Sequence, residues 1–85
     1  MEDESYKRYD LDVVIGRNSK WVGKTLEVIS RRCDAVIIGY SRDCRRTDEE
    51  YYSPDIMVLE GFRIHMISKS KNIFEKVCDE NIIIN

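Results

Sequence analysis

Apolar residues fall into short runs separated by glycine and charged stretches. Leu11, Val13, Val14 and Ile15 form the first patch, which stops at Gly16 and reads equally as a short strand or as one helical turn. Residues 6–11 ahead of it suit an edge strand. Val22, Leu26, Ile29 and Cys33 then recur at i, i+4, i+7 and i+11, which predicts an amphipathic helix over 20–33 with Asn18 and Ser19 as N-cap candidates. Gly23 and the β-branched Val22, Thr25, Val28 and Ile29 pull the other way, and Leu26 and Val28 also alternate as in a strand. Helix is the favoured reading. Residues 35–40, Ala-Val-Ile-Ile-Gly-Tyr, form the clearest strand.

Residues 41–55 carry no apolar period and predict a long charged loop. Two β-prone runs, 56–59 and 62–68, flank Glu60-Gly61 and suggest a hairpin or one bent strand. Ser70 or Asn72 can cap a final helix with Ile73, Phe74, Val77 and Cys78 on one face, and Ile82-Ile83-Ile84 suits a packed tail. The expected architecture is α+β: a small antiparallel sheet of about three strands packed against two to three helices. A chain of 85 residues fits a single domain over 1–85, with the acidic residues 1–5 expected to be flexible.

Composition narrows the picture modestly. Hydrophobic residues make up 42% and charged residues 35%, the balance of a small globular domain and not of a disordered chain. No apolar run approaches the roughly 20 residues of a membrane span, and the acidic start is unlike a signal peptide. Cys33, Cys44 and Cys78 are odd in number and form no CxxC pair, so reduced cysteines in an intracellular protein, cytoplasmic or nuclear, are expected. Together with His65 they lack the spacing of a zinc ligand set, and no cofactor or metal is expected. The net charge of −2 hides an asymmetry. Residues 5–46 carry ten bases against five acids, whereas 47–85 carry four against eight. The basic half contains the glycine turn and points weakly to a polyanion.

Val14-Ile15-Gly16-Arg17-Asn18-Ser19 resembles the "V-I-G-x-x-G" turn of the KH domain, a small RNA-binding fold with strand-helix-helix-strand-strand-helix order. Val22 and Leu26 sit near the apolar positions of the helix after that turn, and residues 35–38 follow as the next strand. Residues 62–68 and 72–77 resemble the family's closing strand and helix. The fourth turn position is Ser19 where the family has glycine, and the stretch from turn to strand is longer than usual by about four residues. The resemblance implies that the turn approaches a sugar-phosphate backbone while bases lie in an adjacent apolar groove. Gly16 would permit the turn, the amides of Arg17, Asn18 and Ser19 would face phosphate, and Lys20 and Lys24 would add charge with Arg17. Val14, Ile15, Val22 and Leu26 would floor the groove, with Ile38 or Tyr40 on its strand side. Arg42, Arg45 and Arg46 of the long loop would clamp the strand.

Two other patterns compete. Residues 18–25 match the P-loop "G-x-x-x-x-G-K-[ST]" except that Asn18 replaces the first glycine; Lys24 would then contact phosphates and Thr25 would hold Mg²⁺. Eighty-five residues are too few for a doubly wound nucleotide fold. A small Sm- or OB-type barrel would instead pair 24–30 with 35–40 as a hairpin and take 58–64 as its second motif.

No nucleophile-and-base arrangement is identifiable from spacing, so the chain reads as a binding protein and not as an enzyme. His65 reads as a structural or exposed strand residue, Asp48-Glu49-Glu50 as a solvated charge run, and Trp21 as an anchor for the helix start in preference to a base-stacking ring. The expected function is weak binding of single-stranded RNA or DNA through the 16–19 turn and the basic half. The alternative is a protein-interaction or dimerisation module, acting on a protein partner or a second copy, that kept the fold and lost nucleic-acid affinity. No membrane partner is expected.

Overall fold

The computed structural model of the chain describes residues 8–70, Ile73 and 82–84. Strand β1 (Tyr9–Ile15) is followed by helix α1 (Leu26–Cys33), strand β2 (Ala35–Ser41), the two-residue strand β3 (Glu50–Tyr51), strand β4 (Arg63–Ser68) and strand β5 (Ile82–Ile84). The sheet has the order β3-β2-β4-β1-β5, and every neighbouring pair is antiparallel. This is an α+β fold with an antiparallel sheet. The sheet has five strands instead of about three, because residues 82–84 pair with β1 and the long loop contributes β3. Residues 9–11 belong to β1, which lies between β4 and β5 and so is no edge strand. The final helix expected over 72–78 lies outside the described residues except at Ile73, which is helical and buried, and so do residues 1–5. No helix among the described residues is long and apolar enough to cross a membrane.

Alternation sets the two faces of the sheet. Leu11, Val13 and Ile15 of β1 and Ile64 and Met66 of β4 are buried on one face. Between them Asp10, Asp12 and Val14 point outward, as do Arg63, His65 and Ile67. In β2 the register slips between Ile37 and Gly39, so Ile38 is an extra residue. That slip resets the phase: Ala35 and Ile37 face the core, and then Tyr40 does, opposite Ile64.

Helix α1 closes the core with Leu26, Ile29 and Cys33, joined by Trp21, Val58, Phe62 and Ile73 from the connections. The helix starts later than the sequence suggests. Thr25 is the N-cap and accepts the amide of Val28 on Oγ1 at 3.3 Å, while residues 17–18 and 20–23 form turns. Asn18 and Ser19 therefore do not cap it. Val22, counted in the stripe, lies outside the helix and is exposed. At the other end Asp34 takes a left-handed conformation (φ 50°) and donates its amide to the last carbonyls.

A helix at 26–33 removes the barrel reading, which needed a strand there. Residues 56–59 form no hairpin with β4. They contribute only an isolated bridge between Met57 and Thr25 and otherwise lie along the loop before the helix.

Candidate functional site

Topology brings two of the predicted segments together. With β4 antiparallel to both, β1 and β2 run in the same direction, so the connections after β1 and β2 and before β4 emerge at one end of the sheet. A chain of backbone bonds ties them there. Ile15 donates to the carbonyl of Phe62 (2.9 Å), Gly61 donates to Ile15 (3.0 Å), and Cys44 donates to Gly61 (2.9 Å). Gly61 holds a left-handed φ of 88°, which a side chain would disfavour. Arg63 Nη1 also donates to the carbonyl of Arg46 at 2.6 Å. The 16–20 turn and the 42–46 loop thus share one end.

The individual residues divide. Arg17, Asn18, Lys20 and Arg46 are exposed, and Arg17, Lys20 and Arg46 form no ion pair with another described residue. Arg45 is exposed but lies along Asp43, with Nε on Oδ1 and Nη2 on Oδ2 at 3.2 Å each. That contact holds the Asp43 carboxyl below its usual range and raises Arg45 further. Arg42 bonds Glu50 at 3.2 Å and lies over the rings of Tyr40 and Phe62. Ile15, Leu26 and Tyr40, expected to line a groove, are core residues at 1%, 0% and 3% exposure, so none forms its floor. Val14 lies half-buried on the outer face opposite Arg63, Ile38 stands on the same face, and Val22 is exposed in the turn. Lys24 is half-buried, with its backbone N–H on Trp21 and its carbonyl accepting from Val58.

Ser19 is a structural residue. It is buried, its amide donates to the Gly16 carbonyl (3.3 Å), and its Oγ accepts the amide of Trp21 (3.1 Å). Its N–H is therefore engaged within the turn and does not face a phosphate. Trp21 is fully buried and anchors the loop.

The start of α1 also offers no phosphate cradle. Leu26 donates to Ile56 (2.9 Å), Glu27 to Pro54 (3.4 Å) and Gly23 to Val58 (2.8 Å), while Thr25 takes the amide of Val28. These donors are the ones a P-loop turns toward phosphate. With them occupied, and with only antiparallel neighbours among the described strands, the nucleotide-binding reading falls.

The outer face holds what the sequence concealed. Cross-strand register places Asp12, His65 and Gly39 in one row. Asp10 approaches the ring from one edge, Oδ1 to Nε2 at 2.7 Å, and Glu49 from the other, Oε1 to Nδ1 at 3.3 Å. Gly39 makes room for Glu49: a Cβ there would lie 3.1 Å from Oε2 of Glu49 and 2.9 Å from the carbonyl of Glu50. Ligand atoms of Asp12, Glu49 and His65 all fall within 4.8 Å of one another. Burial, the largest single influence on His65, favours the neutral ring. The Asp10 bond and the charges of Asp10, Glu49 and Asp12 together outweigh it and raise the imidazole above its usual value. Asp12 Oδ1 and Arg63 Nε are buried with no hydrogen-bond partner. Glu49 and Glu50 are therefore engaged and are not merely a solvated run. The only sequence signal for this cluster is the outward alternation of Asp10 and Asp12, and nothing in the sequence states their register with His65.

Beside this row the same face carries a concavity of about 430 Å³ lined by Arg8, Asp34, Val36, Ile38, Ile67 and Lys69. Compared with known proteins, the chain matches no family model and no curated protein.

Proposed function

We propose that the chain is a KH-like module that binds single-stranded RNA or DNA weakly at the end of the sheet where the 16–20 turn and the 42–46 loop meet. The observation that carries this reading is the backbone chain Cys44–Gly61–Ile15, which puts Arg17, Lys20 and Arg46 on connections at one end. The element order supports it as well, with β1, α1, β2 and β4 following the family's sequence. One helix stands between β1 and β2 where the family has two, and the Ser19 amide is engaged, so charge carries the binding and backbone approach contributes little.

Fluorescence polarisation with a random-sequence single strand tests this. Binding is expected to weaken steeply with salt, with a log–log slope near −2 for about three phosphate contacts. Replacing Arg17, Lys20 or Arg46 with alanine is expected to flatten that slope by about 0.7 each. No binding at about 50 mM salt and about 100 µM protein, where counterion release favours association, would falsify the proposal.

The second reading, a protein-interaction module, is favoured by the exposure of Val36 (68%) and Ile38 (43%) on the outer face. It predicts a dimer or a partner complex in sedimentation that Val36→Lys disrupts. A strict monomer that captures no partner removes this reading.

A further inference from the structure

We infer that His65, Asp12 and Glu49 form a three-ligand site for a divalent transition-metal ion, with Asp10 as the residue that orients the imidazole. The two ring edges have different jobs. Nε2 lies 2.7 Å from Asp10 Oδ1, the distance of a charge-assisted bond in which Nε2–H donates to the carboxylate. That fixes the ring and presents Nδ1 toward Glu49 on the opposite edge. A ligating histidine that gives its other N–H to a carboxylate is the usual second layer of a metal site.

The independent observation is Asp12. Its Oδ1 is buried and has no hydrogen-bond partner. Asp12 as a whole is half-buried, but an oxygen shielded from water and left unpaired is costly even there. The contacts of Asp10 and Glu49 with the ring give this oxygen no partner; a cation between Asp12, Glu49 and Nδ1 would. Ligation through Nδ1 needs the neutral ring, so an uncharged imidazole and two carboxylates surround a dipositive ion. The ligand atoms lie within 4.8 Å of one another and must draw in to metal–ligand distances of about 2.0–2.2 Å. Asp12 and His65 sit on paired strands, so Glu49 makes most of that movement. Its side chain comes from outside the regular strands, is 34% exposed, and crosses β2 where Gly39 has no Cβ.

One imidazole nitrogen and two carboxylates suit Zn²⁺ or Co²⁺ better than Mg²⁺ or Ca²⁺, which prefer oxygen alone. Three protein ligands leave a coordination position open on the solvent side.

The test uses the chelator-treated 85-residue chain and Zn²⁺ alone, read by titration calorimetry in buffers of different ionisation enthalpy. One Zn²⁺ per chain is expected, with about one proton released at a pH where His65 is protonated. His65→Gln and Asp12→Asn are each expected to lower affinity more than tenfold. Asp10→Asn is expected to lower it about 10- to 100-fold, as an orienting residue does. Should a variant lose its fold by circular dichroism, the ¹⁵N shift of His65 Nδ1 in the unaltered protein reads ligation directly. Co²⁺ separates this site from the cysteines: a thiolate-to-cobalt charge-transfer band assigns the metal elsewhere and overturns the inference. Affinity unchanged in His65→Gln and Asp12→Asn, an unmoved Nδ1 resonance, or no binding at all overturns it as well.

Discussion

In the turn after β1, Ser19 lies 6% exposed with both its amide and its hydroxyl engaged, whereas on the outer face of the sheet Asp12 keeps a buried oxygen with no partner. The turn draws attention in the sequence because Val14 to Ser19 resembles a glycine turn that approaches phosphate. Its polar groups mostly hold the turn together. The outer face looks like ordinary strand, yet it gathers three carboxylates and a histidine in an arrangement that leaves one oxygen unmet. Residue types that form a motif along the chain are easily noticed. A site assembled across strands is not, and here its unmet oxygen is the better guide to a ligand.

The contrast can be broken most forcefully at Trp21. If the turn is architecture, Trp21→Ala costs about 3–5 kcal/mol of stability, the range for emptying a buried aromatic site. A loss under about 1 kcal/mol in urea denaturation would show that the turn is not built around it. Ser19→Ala leaves the Trp21 amide unmet in a buried setting and is expected to cost about 1–3 kcal/mol. Ser19→Gly, which restores the family's residue, loses the same bond and is expected to destabilise as well, where a phosphate-facing role predicts tighter nucleic-acid binding at little cost.

The outer face gives a smaller, pH-dependent effect. His65 titrates higher in the folded chain than its ordinary 6.5, so folding takes up protons. The stabilisation this gives is fully present below about pH 6.5 and is lost as pH rises through the folded value. Metal-free protein is therefore expected to be more stable at pH 5.5 than at pH 8.5 as far as this group decides it, and His65→Gln flattens the slope. A slope unchanged in His65→Gln would mean the ring is not the titrating group. The smallest effects belong to the exposed cations: Arg17→Ala and Lys20→Ala are expected to change stability by no more than about 0.5 kcal/mol. They lower nucleic-acid affinity, and a larger stability loss would show that these side chains support the fold.

The covered side of the sheet was largely legible. The run 35–40 is β2 nearly as expected, 62–68 contains β4, and Leu26, Ile29 and Cys33 are the buried stripe of α1. Local burial periods carry those elements. The helix is capped at Thr25 although Asn18 and Ser19 are the stronger cap formers by type. Loop packing decided the matter, since residues 54–58 supply carbonyls to the amides at 23–27. The isoleucines at 82–84, which suit a packed tail, pair with β1 as a strand, and three apolar residues hold no period that would show it. The histidine cluster was least legible. It depends on the pairing of Asp12 with His65 and on Gly39 falling beside that pair, and both are properties of register.

The middle strand of the sheet comes late in the chain. β1 and β2 have no direct ladder with each other, and both wait for β4 at residues 63–68 to lie between them. During synthesis, β1, α1, β2 and β3 are therefore made before the strand that joins β1 to β2. Until then their edges are open to pairing with other chains. Contacts this distant in sequence favour folding on the slower, millisecond-to-second side of small domains. A fragment ending before residue 63 has no route to the native sheet. Supplying 63–68 in trans as a peptide is the complementary case, in which the missing strand enters as a ligand.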